Sequence, residues 1–302
     1  MSTAITFSRY GEPGVLTVSA TDVPEPGRGQ VRIRVRAVAV NLIDTKIRSG
    51  HMDGIFPIRF PVTPGWDVAG VVDAAGDGAT AAAGDEVFGV ATTGGYSEYA
   101  LLDRPVPKPA KLPFETAAAI VTVGEAAFRV LKHLALRAGQ TLLILGAGGS
   151  VGTIAVQLAA ARGVKVIGTA AQQDLERLTA LGATAVRYGD GWTERVLAVA
   201  QDGVDAVFDT SGSGLLADAV ALAGDASRVI TIADHAAAAH GVRFTGADPA
   251  DRAPQALPEL ASLAAAGQLS VPVWRTYPLA QAAQAHADLQ ARRNRGKIVL
   301  LP

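Results

Sequence analysis

Residues 141–152 read Thr141-Leu-Leu-Ile-Leu145-Gly146-Ala147-Gly148-Gly149-Ser150-Val151-Gly152. Thr141–Leu145 has the length and apolar texture of a buried strand, and Ser150–Arg162 has the texture of a helix. Strand, glycine turn and helix in this order create an anion site, because the first N–H groups of the helix lack intrahelical partners and its dipole is positive there. Gly149 would let the backbone approach a pyrophosphate, and Gly152 would let the helix pack against the strand. The first position of the G-x-G-x-x-G frame is Ala147, so the turn reads A-x-G-x-x-G. Glycine turns also serve packing alone. It is the βαβ context, with Val164–Gly168 returning as a second strand, that favours a dinucleotide.

The fingerprint expects an acid about 20 residues on, at the end of the second strand, to hold the adenine-ribose 2′-hydroxyl. Ala171 stands there, after Gly168-Thr169-Ala170. A 2′-phosphate would meet no repulsion, which favours NADP(H) over NAD(H). Gln172, Gln173 and Asp174 follow where a basic residue would be welcome, leaving Tyr188, Arg187 or Arg177 as its candidate partners.

Outward from this unit, strands and helices alternate to about residue 267, the pattern of a parallel sheet covered on both faces. The first third reads instead as short strands broken by Pro and Gly. Val31–Val40 (VRIRVRAVAV) alternates strictly, with Val31, Ile33 and Val35 on one face and Arg32, Arg34 and Arg36 on the other. The arginine face reads as a solvated strand surface in preference to an anion strip. The expected fold is α/β: a doubly wound Rossmann sheet over 114–267, and a β-barrel-like domain over 1–113 to which 268–302 returns.

Composition narrows the chemistry. The 302 residues include no cysteine, which excludes disulfides, thiolate-bound zinc, iron–sulfur clusters and a thiol nucleophile. Twenty-seven Lys and Arg balance 28 Asp and Glu, so no broad field gathers nucleic acid or anionic lipid. The N-terminus lacks a basic and then apolar leader, and no long uninterrupted apolar run is present, which reads as a soluble cytoplasmic protein.

Six stretches carry a resemblance: Asn41-Leu-Ile-Asp44-Thr-Lys46-Ile-Arg48-Ser-Gly50, Pro64-Gly65-Trp66-Asp67-Val-Ala-Gly70, Gly84-Asp85-Glu86-Val-Phe-Gly89, Gly95-Tyr96-Ser97-Glu98-Tyr99, the glycine turn, and Arg295-Gly296-Lys297-Ile-Val-Leu300. With them the chain resembles the medium-chain dehydrogenase/reductase superfamily, in its zinc-independent quinone oxidoreductase branch, over essentially its whole length. The resemblance implies a GroES-like catalytic domain beside the Rossmann domain, and NADPH as cofactor. Zinc-dependent relatives carry a Cys near the Asp44 position and a His-Glu pair where this chain has Trp66-Asp67. Those ligands are missing, and the five histidines show no helical His-x3-His pairing, so no metal is expected. Without a Lewis acid, hydride delivery suits an acceptor that spreads negative charge by conjugation, such as a quinone, enone or enoyl ester.

The resemblance also distributes roles. Asn41 is expected near the nicotinamide, and Lys46 resembles the lysine of trans-acting polyketide-type enoyl reductases that approaches the nicotinamide ribose. The tyrosines that many quinone reductases carry at the Lys46 and Met52 positions are absent. Ala126 replaces the usual nicotinamide-side threonine, while Thr122 and Glu125 add polar groups. Glu125 is a candidate proton donor to an enolate, or else an i,i+4 partner of Arg129. Asp44 and Arg48 are expected to pair at the same spacing. The cofactor set implied is Thr122, Ala147, Gly148, Gly149, Ser150, Val151, Gly152, Ala171, Arg187, Tyr188, Ser211, Ile232, Phe244, Thr245 and Lys297. A homodimer is expected, with the apolar stretch 244–258 a candidate contact. Two alternatives accompany the reductase reading: an enoyl reductase dedicated to a biosynthetic intermediate, and a non-catalytic NADPH-binding protein.

Overall fold

Ser2–Thr6 (β1) and Thr17–Thr21 (β2) pair antiparallel as a two-stranded sheet. The alternating run Val31–Val40 (β3) follows, with Val31, Ile33 and Val35 buried as the period-2 pattern requires. Its arginine face is solvated, and Arg32 is taken up by Asp73 at 2.9 Å and Glu25 at 3.2 Å. Leu42–Arg48 (α1) leads to Asp67–Ala75 (β4), Glu86–Val90 (β5), Tyr99–Leu102 (β6), Val106–Pro107 (β7) and the long helix Phe114–Leu134 (α2). This computed structural model describes residues 1–302 except Ala247.

The next segment is the parallel sheet: Thr141–Leu145 (β8), Ser150–Ala161 (α3), Lys165–Ala170 (β9), Leu175–Ala180 (α4), Ala183–Arg187 (β10), Trp192–Val199 (α5), Ala206–Asp209 (β11), Leu216–Ala223 (α6), Val229–Thr231 (β12) and Arg243–Phe244 (β13). The strand order is β10-β9-β8-β11-β12-β13, every neighbouring pair parallel. The chain steps outward from β8 to β10 and then returns to β11 on the other side of β8. That reversal is the topological switch point at which doubly wound sheets bind their ligands.

Leu257–Ala265 (α7), Val273–Pro278 (β14), Ala282–Gln290 (α8) and Lys297–Leu301 (β15) rejoin the first sheet, whose order is β14-β15-β3-β4-β5-β7 with β6 also on β3. Only β14 and β15 run parallel there. The chain thus forms two units, Met1–Thr122 with Leu257–Pro302, and Val123–Ala256. These limits differ from those expected at 113/114 and 267/268. Texture changes where a helix begins, whereas packing changes partner midway along α2, between Thr122 and Val123.

Several elements escaped the sequence pattern. Ala183–Arg187 carries only small or polar residues around Val186, and β1, β2, β14 and α5 were not foreseen. The alanine run 236–239, which reads as a short loop, falls largely within a 3₁₀ turn, Ala237–His240. In the stretch 244–258, Ala253, Ala256 and Leu257 are buried within the chain, while Ala247 lies outside the described residues.

The glycine turn divides its labour. A Cβ on Gly152 would stand 2.6 Å from both Ala147 Cα and Gly146 O, so α3 can approach β8 this closely only without a side chain there. A Cβ on Gly149 would meet only Gly146 O, at 3.3 Å, so internal packing demands far less at that position. Gly152→Ala is therefore expected to destabilise the protein by about 1–3 kcal/mol, and Gly149→Ala by clearly less, as read from urea unfolding midpoints. Equal losses would show that both glycines serve packing alone.

Candidate functional site

Every residue expected on the cofactor in the second unit lies at or just beyond the C-terminal end of a parallel strand. Gly146–Gly152 follow β8, Ala171 follows β9, Arg187 ends β10 and Tyr188 follows it, Ser211 follows β11, Ile232 follows β12, and Phe244 ends β13 with Thr245 after it. A parallel sheet produces this convergence, because all its strands point the same way. At the switch point, Asp209 is buried and accepts from Ser211 N (2.9 Å), Ser211 Oγ (2.8 Å), Gly212 N (3.2 Å) and Thr231 Oγ1 (2.8 Å). Thr210 donates to the carbonyls of Leu145 and Gly146. The loops after β8 and β11 are thereby tied together under the glycine turn.

Gly149 caps α3 in extended conformation, leaving the first N–H groups of the helix directed outward from the turn. Past the ends of β9 and β10, an open cavity of about 370 Å³ is lined by Ala171, Gln172, Gln173, Arg187, Tyr188, Gly189 and Asp190. Two of the three side chains expected for a 2′-phosphate therefore share a cavity with Ala171. Arg177 does not line it: Arg177 donates to Gly148 O (2.9 Å), Thr153 Oγ1 (3.2 Å) and Asp174 (3.1 Å), bracing the glycine turn from behind.

In the first unit, Lys297 and Asn41 meet. The Lys297 ammonium is buried and donates to Asn41 Oδ1 (2.5 Å) and Val40 O (3.2 Å). Asn41 Nδ2 donates in turn to Asp67 Oδ2 (2.8 Å), and Thr122 donates to the same carboxylate through Oγ1 (2.6 Å) and N (3.1 Å). A cation on one side and an acceptor-only carboxylate on the other leave Asn41 one amide orientation. Burial lowers the affinity of Lys297 for its proton, and the nearby Asp67 and Asp44 oppose that effect. Lys46 is half-buried on α1 and is not part of this constellation.

Asp44 corrects one expectation. It does not pair with Arg48: its Oδ2 turns back to the first turn of α1 and accepts from Asn41 N (2.8 Å) and Tyr96 OH (3.1 Å). The Tyr96 hydroxyl also meets His286 Nε2 at 2.9 Å, while the fully buried Arg48 donates to Gln290 Oε1 at 3.3 Å. The i,i+4 spacing allowed the pair, but a carboxylate at the third position of a helix is better used on the orphan N–H groups behind it. Burial raises the Asp44 carboxyl to about 7, and it lowers the His286 imidazole to about 3, with Arg48 adding to the latter. Tyr96 is pushed well up by burial and by Asp44.

Glu125 is buried and saturated. Its oxygens accept from Arg129 Nε (2.8 Å), Arg252 Nη1 (3.2 Å) and Ala253 N (2.8 Å). Arg129 also donates to Thr245 Oγ1 (2.8 Å), which donates to Asp251 (2.9 Å). Of the two readings for Glu125, the geometry matches the i,i+4 partner, extended to anchor the segment after β13. Tyr96 and His286 escaped sequence reasoning. Tyr96 lay within a quoted stretch, whereas His286 had only its position on an amphipathic helix to mark it.

Known proteins place this geometry. A family model described as alcohol dehydrogenase GroES-like domain matches residues 27–109, and one described as zinc-binding dehydrogenase matches 181–300. The quinone oxidoreductase of Sus scrofa is 34% identical over 327 residues, covering 100% of this chain and 98% of the relative. That of Pseudomonas aeruginosa is 30% identical and covers 100% of both chains. Among solved structures, the Escherichia coli quinone oxidoreductase complexed with NADPH has a TM-score of 0.86 at 27% identity, covering 99% of this chain and 100% of that one. The second family description implies zinc, and the residues here do not fit it. Among the described residues no three His, Cys, Asp or Glu side chains group to hold a metal, and the Asn41–Asp67–Thr122 constellation already contains an ammonium ion.

The Asp44–Tyr96–His286 chain predicts a pH signature with two opposed parts. Asp44 binds its proton more tightly folded than unfolded, so its contribution to stability is full below about pH 4 and is lost as pH rises through about 7. His286 is held neutral, so its contribution is present above about pH 6.5 and is lost as pH falls towards about 3. Between these limits the two slopes cancel. Asp44→Asn should make the protein more acid-sensitive, and His286→Gln should make it lose stability as pH rises, each relative to a flatter wild type. Urea unfolding at pH 5 and pH 8 reads both; parallel profiles in all three proteins would refute the coupling.

Proposed function

This chain belongs to the quinone oxidoreductase branch of the medium-chain dehydrogenase/reductase superfamily, and from that premise we propose that it is an NADPH-dependent reductase of quinones or other conjugated carbonyls. The observation that carries the cofactor is the convergence of the glycine turn and the Ala171–Arg187–Tyr188 cavity along one edge of the parallel sheet. NADPH, when bound, supplies a hydride from its nicotinamide.

The residues of this chain do the rest. The N-terminus of α3 and the space over Gly149 receive the pyrophosphate, where free N–H groups and the helix dipole favour negative charge. Arg187 offers a planar fork to a 2′-phosphate and Tyr188 a hydroxyl, while Asp190 in the same cavity limits how many anionic groups it accepts. Asn41, its amide fixed by Lys297 and Asp67, presents one defined polar edge. Lys46 helps to place the nicotinamide ribose. Glu125 anchors, through Arg129, the segment that carries Thr245. The donor set around Asp67, already engaged by Asn41 and Thr122 with Lys297 beside them, is a poor fit for a metal ion, and an acceptor that spreads negative charge by conjugation, a quinone or an enone, suits hydride delivery without one.

Two measurements test this reading. Stopped-flow mixing with NADPH and a panel of quinones and enones should show NADPH oxidation that survives exhaustive EDTA treatment. No turnover with any acceptor would sink the proposal, and EDTA loss restored by zinc would refute the metal-free acceptor argument. Ala171→Asp should place a carboxylate against the 2′-phosphate, weakening NADPH by roughly tenfold or more and helping NADH. Unchanged affinities in fluorescence titrations would mean that the end of β9 does not meet the ribose.

A further inference from the structure

The wall of the 2′-phosphate cavity is held by a residue that does not line it. α5 opens on Gly191, which is left-handed (φ 70°), and carries Arg195 one turn in. A cation is poorly placed there by the helix dipole, whose N-terminal end is positive. The side chain folds back over the preceding turn instead. Nε and Nη2 donate to Arg187 O (3.0 and 2.9 Å), Nη2 also to Gly189 O (3.1 Å), and Nη1 to Asp190 O (2.9 Å).

With a longer contact from Nη2 to Tyr188 O (3.5 Å), four successive carbonyls of one short turn converge on one planar group whose donors are rigidly spaced. The same turn, from Arg187 to Asp190, lines the cavity together with Ala171, Gln172 and Gln173. At its start it is tied to β9 by Tyr188 N donating to Ala170 O at 3.1 Å. Gly189, at φ 93°, and Gly191 give the turn a left-handed backbone on both sides of Asp190, which a free segment would hold only loosely. Arg195 supplies the missing restraint.

We propose that Arg195 is the positioning residue for the 2′-phosphate end of the cofactor: it fixes the backbone from which Arg187 and Tyr188 reach the cavity, without touching the ligand. This rests on the NADPH reading above. The full chain and its Arg195→Ala and Arg195→Lys variants would be titrated with NADPH, NADH and 2′,5′-ADP, alongside steady-state kinetics and thermal unfolding. Arg195→Ala is expected to weaken NADPH and 2′,5′-ADP by roughly tenfold, to move NADH by less than about twofold, and to raise KM for NADPH with kcat preserved. Arg195→Lys should recover only part of the loss, because a single ammonium reaches fewer of these carbonyls. Wild-type NADPH affinity in Arg195→Ala, or parallel loss of NADPH and NADH, overturns the proposal. A wild type that neither binds 2′,5′-ADP nor prefers NADPH overturns the NADPH reading, and this proposal with it, before any variant is made. Should Arg195→Ala fail to fold, Arg195→Gln and Arg195→Lys carry the same comparison, and equal NADPH and NADH shifts in them are equally fatal.

Discussion

A lysine ammonium taken out of water must be surrounded by oxygen, and the burial of Lys297 imposes that demand on the whole first unit. Stripping an ion of its hydration is worth several kcal/mol against the fold unless partners replace the water. Here the replacements come from distant parts of the chain: Val40 at the end of β3 and Asn41 just after it, and through Asn41 the Asp67 carboxylate that opens β4 and Thr122 in α2. The C-terminal strand is thus bound to the first sheet by its charge as well as by the ladder from Ile298 to Val40. Removing one member would leave a buried charge without its complement, so the constellation behaves as a unit.

The second unit is organised by direction instead of charge. Six parallel strands deliver their following loops to a single edge, and the order β10-β9-β8-β11-β12-β13 opens the crevice beside β8. Polar side chains then fasten the loops. Asp209 collects Ser211, Gly212 and Thr231, Arg177 braces the glycine turn, and Arg195 gathers the carbonyls after β10. Carbonyls and amides freed at strand ends are satisfied by side chains instead of by a continuing ladder.

Buried ionisable groups in the two units are handled differently. Glu125 and Arg129 neutralise each other with Arg252 close by, so burial there leaves no charge uncompensated. Asp44 and His286 are linked only through the Tyr96 hydroxyl, a neutral bridge, so burial shifts both towards their uncharged forms. That difference follows from the partner available: a guanidinium cancels a carboxylate, whereas a phenol merely solvates it.

The strand–glycine turn–helix unit, the alternation of strands and helices around it and the missing acid at Ala171 were legible in the sequence, because each depends on short-range rules. A buried parallel strand announces itself by an apolar run, and a tight turn by glycine. Ala171 could be placed because the strand before it ends where the apolar run ends. Weakly apolar β10 and the 3₁₀ turn at Ala237–His240 were illegible, since neighbours impose their conformation. The same holds for side-chain partners. Local spacing offered Asp44 to Arg48 and Glu125 to Arg129 on equal terms. Tertiary structure kept the second pair and broke the first, because Tyr96 and the first turn of α1 offered Asp44 donors nearer than the guanidinium. Nor could spacing show that Lys297, 256 positions from Asn41, would lie within hydrogen-bonding distance of it. A sequence specifies which groups must escape water; which groups receive them is decided by how the chain packs.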